Sequence, residues 1–219
     1  MEKTDLVKAL RHQLAHVYWL GGSPCAGKSS IADSLAQTYG LQIYHCDDAF
    51  FHHQKIVTPE QQPVFDRLIH LSSDELWIQR PVEQQIAEEI AFYREEFALI
   101  LDDLLCLSRS KPVLAEGAAL LPECVRPLLL DPHHALWIIP TKEFQLHHYL
   151  NRAWAKDIVK ECSDPEQAFE NWMERDSGFA SFVAQEATRL ALDVLVVDGW
   201  RSLVENIEVA RQHFFVPGI

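Results

Sequence analysis

Glycine is scarce in this sequence, with eight residues among 219, and proline occurs only eleven times. These counts exclude collagen-like and low-complexity chains, and no fixed-period repeat is present. The cysteines are Cys25, Cys46, Cys106, Cys124 and Cys162. Because they are odd in number and form no C-x-x-C pair, they indicate neither a disulfide framework nor a zinc ribbon. No apolar run approaches the roughly 18 residues that a membrane-spanning helix needs.

Positive charge is also scarce, since 19 Lys and Arg residues stand against 32 Asp and Glu residues, a formal net charge of −13. A surface this negative repels both a nucleic-acid backbone and an anionic membrane. The first five residues lack the basic-then-apolar order of a signal peptide. We therefore expect a cytoplasmic protein with neither nucleic-acid nor membrane partners. Apolar residues make up 48% of the chain, enough for a sizeable core.

Short apolar runs alternate with long helical patterns, which is typical of α/β proteins with a parallel sheet. Strands are predicted at 16–20, 41–45, 112–115, 136–139 and 193–197. Each run is nearly continuously apolar, as in strands buried on both faces. Residues 46–111 are far more than one crossover helix needs, so a helical, acceptor-binding insert is predicted at 50–107 within a single domain, 1–219. Three/four spacing of apolar residues predicts one long helix over 81–107.

Local signals mark the ends of other helices. N-cap residues are predicted at Thr141, Asp164 and Ser202, each in front of a helical pattern. The sequence Asp-Ser-Gly at 176–178 predicts a break that divides the helical segment 165–190 in two.

The most specific motif follows the first predicted strand. Residues 22–29 read G-S-P-C-A-G-K-S and match G-x-x-x-x-G-K-[ST] in full, between a strand and a helix. Glycines let successive N–H groups converge on phosphate oxygens, and the helix N-terminus adds its dipole. Lys28 can bridge the terminal phosphates, and the Ser29 hydroxyl can bind Mg²⁺. The motif therefore predicts ATP and Mg²⁺ as ligands. The predicted phosphate-binding residues are Gly22, Ser23, Pro24, Cys25, Ala26, Gly27, Lys28, Ser29 and Ser30.

With acidic residues at two further strand ends, the chain resembles the P-loop small-molecule kinases, which include nucleoside, nucleotide and shikimate-type kinases. The likeness rests on residues 22–29, on Asp47 and Asp48 after the second strand and on Glu116 after the third. A basic, lid-like helical region at 141–178 adds to it. The resemblance implies a three-layer P-loop NTPase sandwich with a five-stranded parallel sheet in the order 2-3-1-4-5. The chain is also similar to bacterial kinase-like proteins without a settled substrate.

Three carboxylates are candidates for chemistry at the phosphates. Asp47 and Asp48 could accept the proton of an acceptor hydroxyl, and we prefer Asp47 as the base, with the other near Mg²⁺ or the acceptor. Glu116 is expected to hold Mg²⁺, partly through water. Asp198, which follows the fifth strand, is interpreted as structural.

A basic stripe is predicted on one face of a helix in the lid-like region. His148, Arg152, Lys156 and Lys160 follow one another at intervals of four residues. One hypothesis is that the stripe clamps ATP phosphates, with Arg152 as its catalytic residue. The alternative is a solvated face balanced by nearby acids. Arg175 is a further candidate on the lid.

The charge of the insert bears on the acceptor, because residues 47–108 contain thirteen acidic and four basic residues. That field favours a neutral or cationic hydroxyl compound, such as a nucleoside, an amino alcohol or an antibiotic. Our hypothesis is a Mg·ATP-dependent small-molecule kinase, monomeric or homodimeric. One alternative is a nucleoside monophosphate kinase, which needs Arg67, Arg80 and Arg94 to converge on one pocket. The other is an ATP-binding regulatory protein, which a flat exposed apolar patch on the insert would favour, whereas a deep pocket beside Asp47 favours the kinase.

Overall fold

A computed structural model of the chain describes residues 3–215. It contains one sheet of five strands, β1 (Val17–Gly22), β2 (Gln42–His45), β3 (Val113–Glu116), β4 (Ala135–Pro140) and β5 (Val194–Val197). All neighbouring strands are parallel, in the order β2-β3-β1-β4-β5. The predicted strand order is confirmed.

Helices cover both faces of the sheet. They are α1 (Lys3–Gln13), α2 (Lys28–Tyr39), α3 (Cys46–His53), α4 (Pro63–Leu68), α5 (Ser73–Trp77), α6 (Val82–Cys106), α7 (Pro122–Val125), α8 (Lys142–Leu150), α9 (Ala153–Val159), α10 (Pro165–Arg189) and α11 (Leu203–Phe215). The long helix predicted over 81–107 is confirmed as α6. Helices α3 to α6 connect β2 to β3, and α8 to α10 connect β4 to β5. Within the described residues, none of the helices has the length and hydropathy of a membrane span.

The sheet separates two apolar layers, which explains why its strands read as continuously apolar. Trp19 and Trp137 pack into the layer on one face, and their chain neighbours Leu20 and Ile138 pack into the layer on the other. All four side chains are buried. Alternation of side chains between the two faces of a strand therefore leaves no exposed face in the central strands.

The predicted helix caps are confirmed. Thr141 and Asp164 each accept a hydrogen bond from the backbone N–H three residues on. Ser202 and Glu205 exchange hydrogen bonds as a capping box. These caps fix where α8, α10 and α11 begin.

The predicted break at 176–178 is wrong, because α10 is continuous from Pro165 to Arg189. Gly178 lies where α10 packs against α6, and a Cβ atom there would come within 2.3 Å of Ile86 Cδ1. This glycine therefore serves close helix packing rather than a turn. Asp176 is accommodated inside the helix because its buried carboxylate accepts hydrogen bonds from Tyr149 and Arg175.

The prediction of one basic stripe along a single helix is also wrong. Asn151 and Arg152 separate α8 from α9, and Asn151 Nδ2 donates to a carbonyl in the last turn of α8 at 2.8 Å. His148 consequently lies on α8, Lys156 lies on α9, and Lys160 follows the end of α9. The four residues do not share one helical face.

Candidate functional site

Residues 22–29, called the glycine loop below, form a tight turn between β1 and α2. Gly22 has a φ of +131°, and a Cβ atom there would lie 2.0 Å from the carbonyl oxygen of Ile138 in β4. Gly27 has a φ of +81° and is the N-cap of α2. Both positions need glycine, the first for the close approach to β4 and the second for the left-handed backbone.

The glycine loop presents free amides at the start of α2. The first bond of the helix joins Ile31 N–H to the carbonyl of Gly27 at 3.1 Å. The amides of Lys28, Ser29 and Ser30 precede it and therefore have no intrahelical partner. Such a helix N-terminus after a glycine turn is suited to an anion such as phosphate.

The Lys28 side chain crosses the glycine loop. It is only 9% exposed, and Nζ donates to the carbonyl oxygen of Ser23 at 2.8 Å. Burial lowers the pKa of Lys28, while the charges of Glu116 and Asp47 oppose that shift. The ammonium group therefore contacts the glycine loop and interacts electrostatically with two carboxylates.

Helix α8 contacts the glycine loop through hydrogen bonds from one side chain. Gln145 is buried, and its Nε2 donates to the Pro24 carbonyl at 3.0 Å and to Ser23 Oγ at 3.2 Å. Burial raises the pKa of the Cys25 thiol, although the nearby charge of Arg152 opposes the shift. Cys25 is therefore a neutral thiol within a braced turn.

Glu116 and Asp47 are brought together by the ends of β2 and β3. His45 and Glu116 are register partners in these strands, and His45 Nδ1 lies 2.7 Å from Glu116 Oε1. A Cβ atom on Gly117 would lie 2.4 Å from Cys46 Cβ, so glycine lets the start of α3 approach the end of β3. Burial lowers the pKa of His45, but the bond to Glu116 and the nearby carboxylates outweigh it and the net shift is upward.

Asp47 and Asp48 are both exposed, but they face different groups. Asp47 lines a cavity between α3 and α6, and its charge acts on Lys28. The charge of Asp48 instead helps to raise the pKa of His45, and Asp48 does not line the cavity. Of the two aspartates, Asp47 is thus the one near both Lys28 and a ligand-sized space.

The cavity beside Asp47 has a volume of about 570 Å³. Its wall includes Phe50 from α3, Phe92, Tyr93 and Glu96 from α6, and Arg175 from α10. A space of this size with aromatic walls and a few buried polar groups is typical of small-molecule sites.

Arg175, expected on the lid, lies instead in the wall of this cavity. Its Nη2 donates to Asp176 Oδ1 at 2.7 Å, its Nε lies 3.3 Å from Glu89 Oε2, and its guanidinium stacks 4.7 Å from the ring of Trp77. Burial alone lowers the pKa of Arg175, but Glu89 and Asp176 outweigh it and raise that pKa. Arg175 therefore has little freedom to act as a moving clamp.

A buried network fixes Glu96 at the edge of the cavity. His53, which is 0% exposed, contacts Glu96 Oε1 through Nδ1 and Asp103 Oδ2 through Nε2, both at 3.1 Å. Tyr44 donates its hydroxyl to the same Asp103 oxygen at 2.7 Å. Burial lowers the pKa of His53, but the two carboxylates outweigh it and raise the pKa.

Two other predicted residues lie outside the cavity. Arg152 is exposed before α9, with its guanidinium 5.5 Å from the ring of Trp154, and its charge reaches Cys25 in the glycine loop. Asp198 accepts a hydrogen bond from the backbone N–H of Trp200 at 3.0 Å, which closes a turn after β5.

The three insert arginines do not converge on one pocket. Arg67 and Arg80 both bind Glu88, whereas Arg94 binds Glu123 at 3.0 Å. Of the three, only Arg80 lines the cavity.

A larger cavity, about 950 Å³, lies among α8, α9 and α10. Its rim contains Lys142, Lys156 and Lys160 as well as Glu170 and Glu174. It contains none of the predicted catalytic carboxylates, so the smaller cavity beside Asp47 is the better candidate for an acceptor site.

Several residues of the site escaped the sequence analysis. Gln85, Glu89 and Glu96 lie at helical spacing among the apolar residues of α6. Polar residues on the apolar face of a helix could have been recognised in the sequence as candidates for a polar site. His53 and Gln145 carried no such signal, because their partners are distant in sequence.

The glycine-loop motif implies Mg²⁺ as a ligand of this site. Within the described residues, no cluster of three or more His, Cys, Asp or Glu side chains is arranged to hold a metal ion. Mg²⁺ usually binds to one or two protein oxygens together with substrate phosphates and water. The exposed Ser29 hydroxyl and the Glu116 carboxylate, whose charge acts on Lys28, fit that pattern.

Comparisons with known proteins give little more. No family model matches the chain, and no curated protein is similar to it. Among solved structures, it is similar to a Chloroflexus aurantiacus protein described as a "putative kinase", with 14% identity and a TM-score of 0.38 over 90% of this chain and 97% of that one. At that distance the likeness assigns no activity to this chain.

Proposed function

We propose that the protein is a Mg·ATP-dependent kinase that transfers a phosphoryl group to a hydroxyl of a small neutral or cationic molecule bound in the cavity. The main support is the position of Asp47, which lines the cavity and also acts on Lys28 beside the glycine loop. A phosphate-binding turn and a small-molecule cavity thereby share one carboxylate.

Each group has a role in this proposal. The amides of Lys28, Ser29 and Ser30 bind phosphate oxygens, and the Lys28 ammonium neutralises their charge. ATP would supply the phosphoryl group, and Ser29 and Glu116 would hold Mg²⁺, which would neutralise part of the phosphate charge. Asp47 accepts the proton of the acceptor hydroxyl. The hydroxyl oxygen forms the new bond to the γ-phosphorus as the bond from that phosphorus to ADP breaks, and ADP leaves.

Arg152 and Gln145 would act from the other side of the site. Gln145 holds the carbonyl of Pro24 and thereby the shape of the glycine loop. Arg152 is exposed near Cys25, where a cation can contact bound phosphates without being held by an ion pair among the described residues.

The two alternatives have less support. A nucleoside monophosphate acceptor needs free cations for its phosphate, but Arg67 and Arg80 are both engaged by Glu88. A regulatory protein without an acceptor would present a flat apolar patch. Phe51, an exposed apolar residue of the insert, lines the cavity and is therefore part of a concave site and not of a flat patch.

The test is phosphoryl transfer from ATP to a pooled library of hydroxyl compounds, with mass spectrometry to find any compound that gains one phosphoryl group. We expect a product that requires both ATP and Mg²⁺ and that is not formed when Mg²⁺ is chelated. If ATP binds but no compound across nucleosides, amino alcohols and antibiotics is phosphorylated, the regulatory alternative replaces the kinase.

A further inference from the structure

Two buried oxygen atoms in the cavity wall lack hydrogen-bond partners among the described residues. They are Gln85 Oε1 and Glu89 Oε2. Gln85 is 2% exposed and Glu89 is 6% exposed, and both line the cavity. They lie one helical turn apart on α6, so they are on the same face. Buried acceptors without donors are unusual in folded proteins and need an explanation.

Neighbouring donors are directed elsewhere. Gln85 Nε2 donates to the carbonyl of Arg80 at 2.9 Å, which fixes the amide group and leaves its oxygen free. Arg175 Nε lies 3.3 Å from Glu89 Oε2, but it donates to Asp176 Oδ1 at 3.0 Å. Gln85 Oε1 therefore has no donor, and Glu89 Oε2 has only its ion pair with Arg175, whose N–H is donated to Asp176.

The wall around these oxygens has more negative than positive groups. Within the wall itself, the basic residues are Arg80 and Arg175, and the acidic residues are Asp47, Glu89 and Glu96. Each cation is already shared with at least one carboxylate. A ligand that enters the cavity therefore meets no unpaired cation among the described wall residues.

Aromatic rings complete the wall. Phe50, Phe92 and Tyr93 line the cavity, with ring centroids of Phe92 and Tyr93 5.0 Å apart. Aromatic faces attract cations as well as apolar groups, and they exclude water from charged contacts.

We infer that the ligand of this cavity carries a positively charged nitrogen with at least two N–H donors, an ammonium or amidinium group, which binds Gln85 Oε1 and Glu89 Oε2. A hydroxyl offers one donor and no charge, so it satisfies only one of the two oxygens. The inference rests on the proposed function only in taking this ligand to be the phosphoryl acceptor. The inference restricts the class of phosphoryl acceptor, which the proposed function leaves as neutral or cationic compounds, to cationic compounds.

The test uses three phenyl compounds of similar size that differ in charge: phenethylamine, which is an ammonium ion at neutral pH, phenethyl alcohol and hydrocinnamate. Their binding to the protein is measured by NMR titration without nucleotide at about pH 8, above the pKa of about 7 to which burial raises Glu89, so that its carboxylate is ionised. We expect the ammonium compound to bind at least about tenfold more tightly than the alcohol, and hydrocinnamate most weakly. Glu89→Gln should remove the preference for the ammonium compound. The control Asp102→Asn removes one exposed carboxylate from the same helix and should keep that preference.

Three results would overturn the inference. They are equal binding of the ammonium compound and the alcohol, tighter binding of hydrocinnamate, and no binding of the ammonium compound at about 10 mM, where fragments of this size bind a suitable pocket. If Glu89→Gln fails to fold, the ranking by the unchanged protein decides. Because phosphoryl transfer is not measured, a cation preference without any kinase activity would refute the proposed function and leave the cation site intact.

Discussion

Replacement of Asp176 by alanine should be among the most destabilising single changes in the protein. Asp176 is 0% exposed, and its carboxylate accepts hydrogen bonds from the Tyr149 hydroxyl at 2.7 Å and from two nitrogens of Arg175 at 2.7 and 3.0 Å. The residue thereby joins α8 to α10 and holds the arginine of the cavity wall. Its loss acts on both contacts at once.

The magnitude follows from those contacts. Removal of one partner of a buried ion pair costs about 3–5 kcal/mol, and a buried hydroxyl without an acceptor costs about 1–3 kcal/mol. Glu89 remains 3.3 Å from Arg175 and offsets part of the first cost. We therefore expect Asp176→Ala to lower the free energy of unfolding by about 4 kcal/mol.

Urea unfolding followed by tryptophan fluorescence measures this free energy. Tyr149→Phe removes only the hydroxyl and should cost about 1 kcal/mol. Asp157→Ala, an exposed carboxylate paired with Lys160, should cost well under about 1 kcal/mol and serves as the matched control. If Asp176→Ala lies within about 1 kcal/mol of the unchanged protein, the buried pair does not have the role described here.

Two further predictions concern acidic residues in and next to the cavity. Asp47→Asn should lower the rate of phosphoryl transfer by about a hundredfold or more, because it removes the proposed base. Asp48→Asn should leave that rate within a few-fold of the unchanged protein's. Equal losses in the two variants would mean that Asp47 is not the base. Burial raises the pKa of Glu89 to about 7, with Arg175 lowering it and Asp176 raising it. The folded protein therefore retains a proton that the unfolded chain releases, and stability falls as pH rises from the ordinary carboxyl pKa towards about 7. Glu89→Gln should remove that fall in urea unfolding compared at about pH 5 and pH 8, and an unchanged pH profile would contradict the assignment.

The positions of the strands and the glycine loop could be predicted because both depend on local patterns, whereas the strand order was implied by the resemblance to the P-loop small-molecule kinases. Continuous apolar runs mark the buried strands, and the motif at 22–29 needs specific glycines for its backbone. Tertiary packing overrode local signals elsewhere. Gly178 looks like a turn residue in the sequence, but it is needed for contact with Ile86 on another helix.

The candidate site was predictable only in part, for the same reason. Asp47 and Glu116 follow predicted strands, and parallel strands bring their carboxyl ends to one edge of the sheet. The contacts of Glu89 with Arg175 and of His53 with Glu96 join residues far apart in the chain. No local pattern specifies such pairs, so the polar lining of the cavity emerged only from the fold.

The central claim is that phosphoryl transfer takes place between the glycine loop at Lys28 and the cavity that Asp47 lines. The most direct measurement is the rate at which Lys28→Ala phosphorylates whichever compound the unchanged protein phosphorylates, with Lys111→Ala, an exposed lysine, as the control. We predict a loss of about a thousandfold or more for Lys28→Ala, with its urea midpoint showing a folded protein, and no loss for Lys111→Ala. Transfer by folded Lys28→Ala at the unchanged rate would contradict the claim.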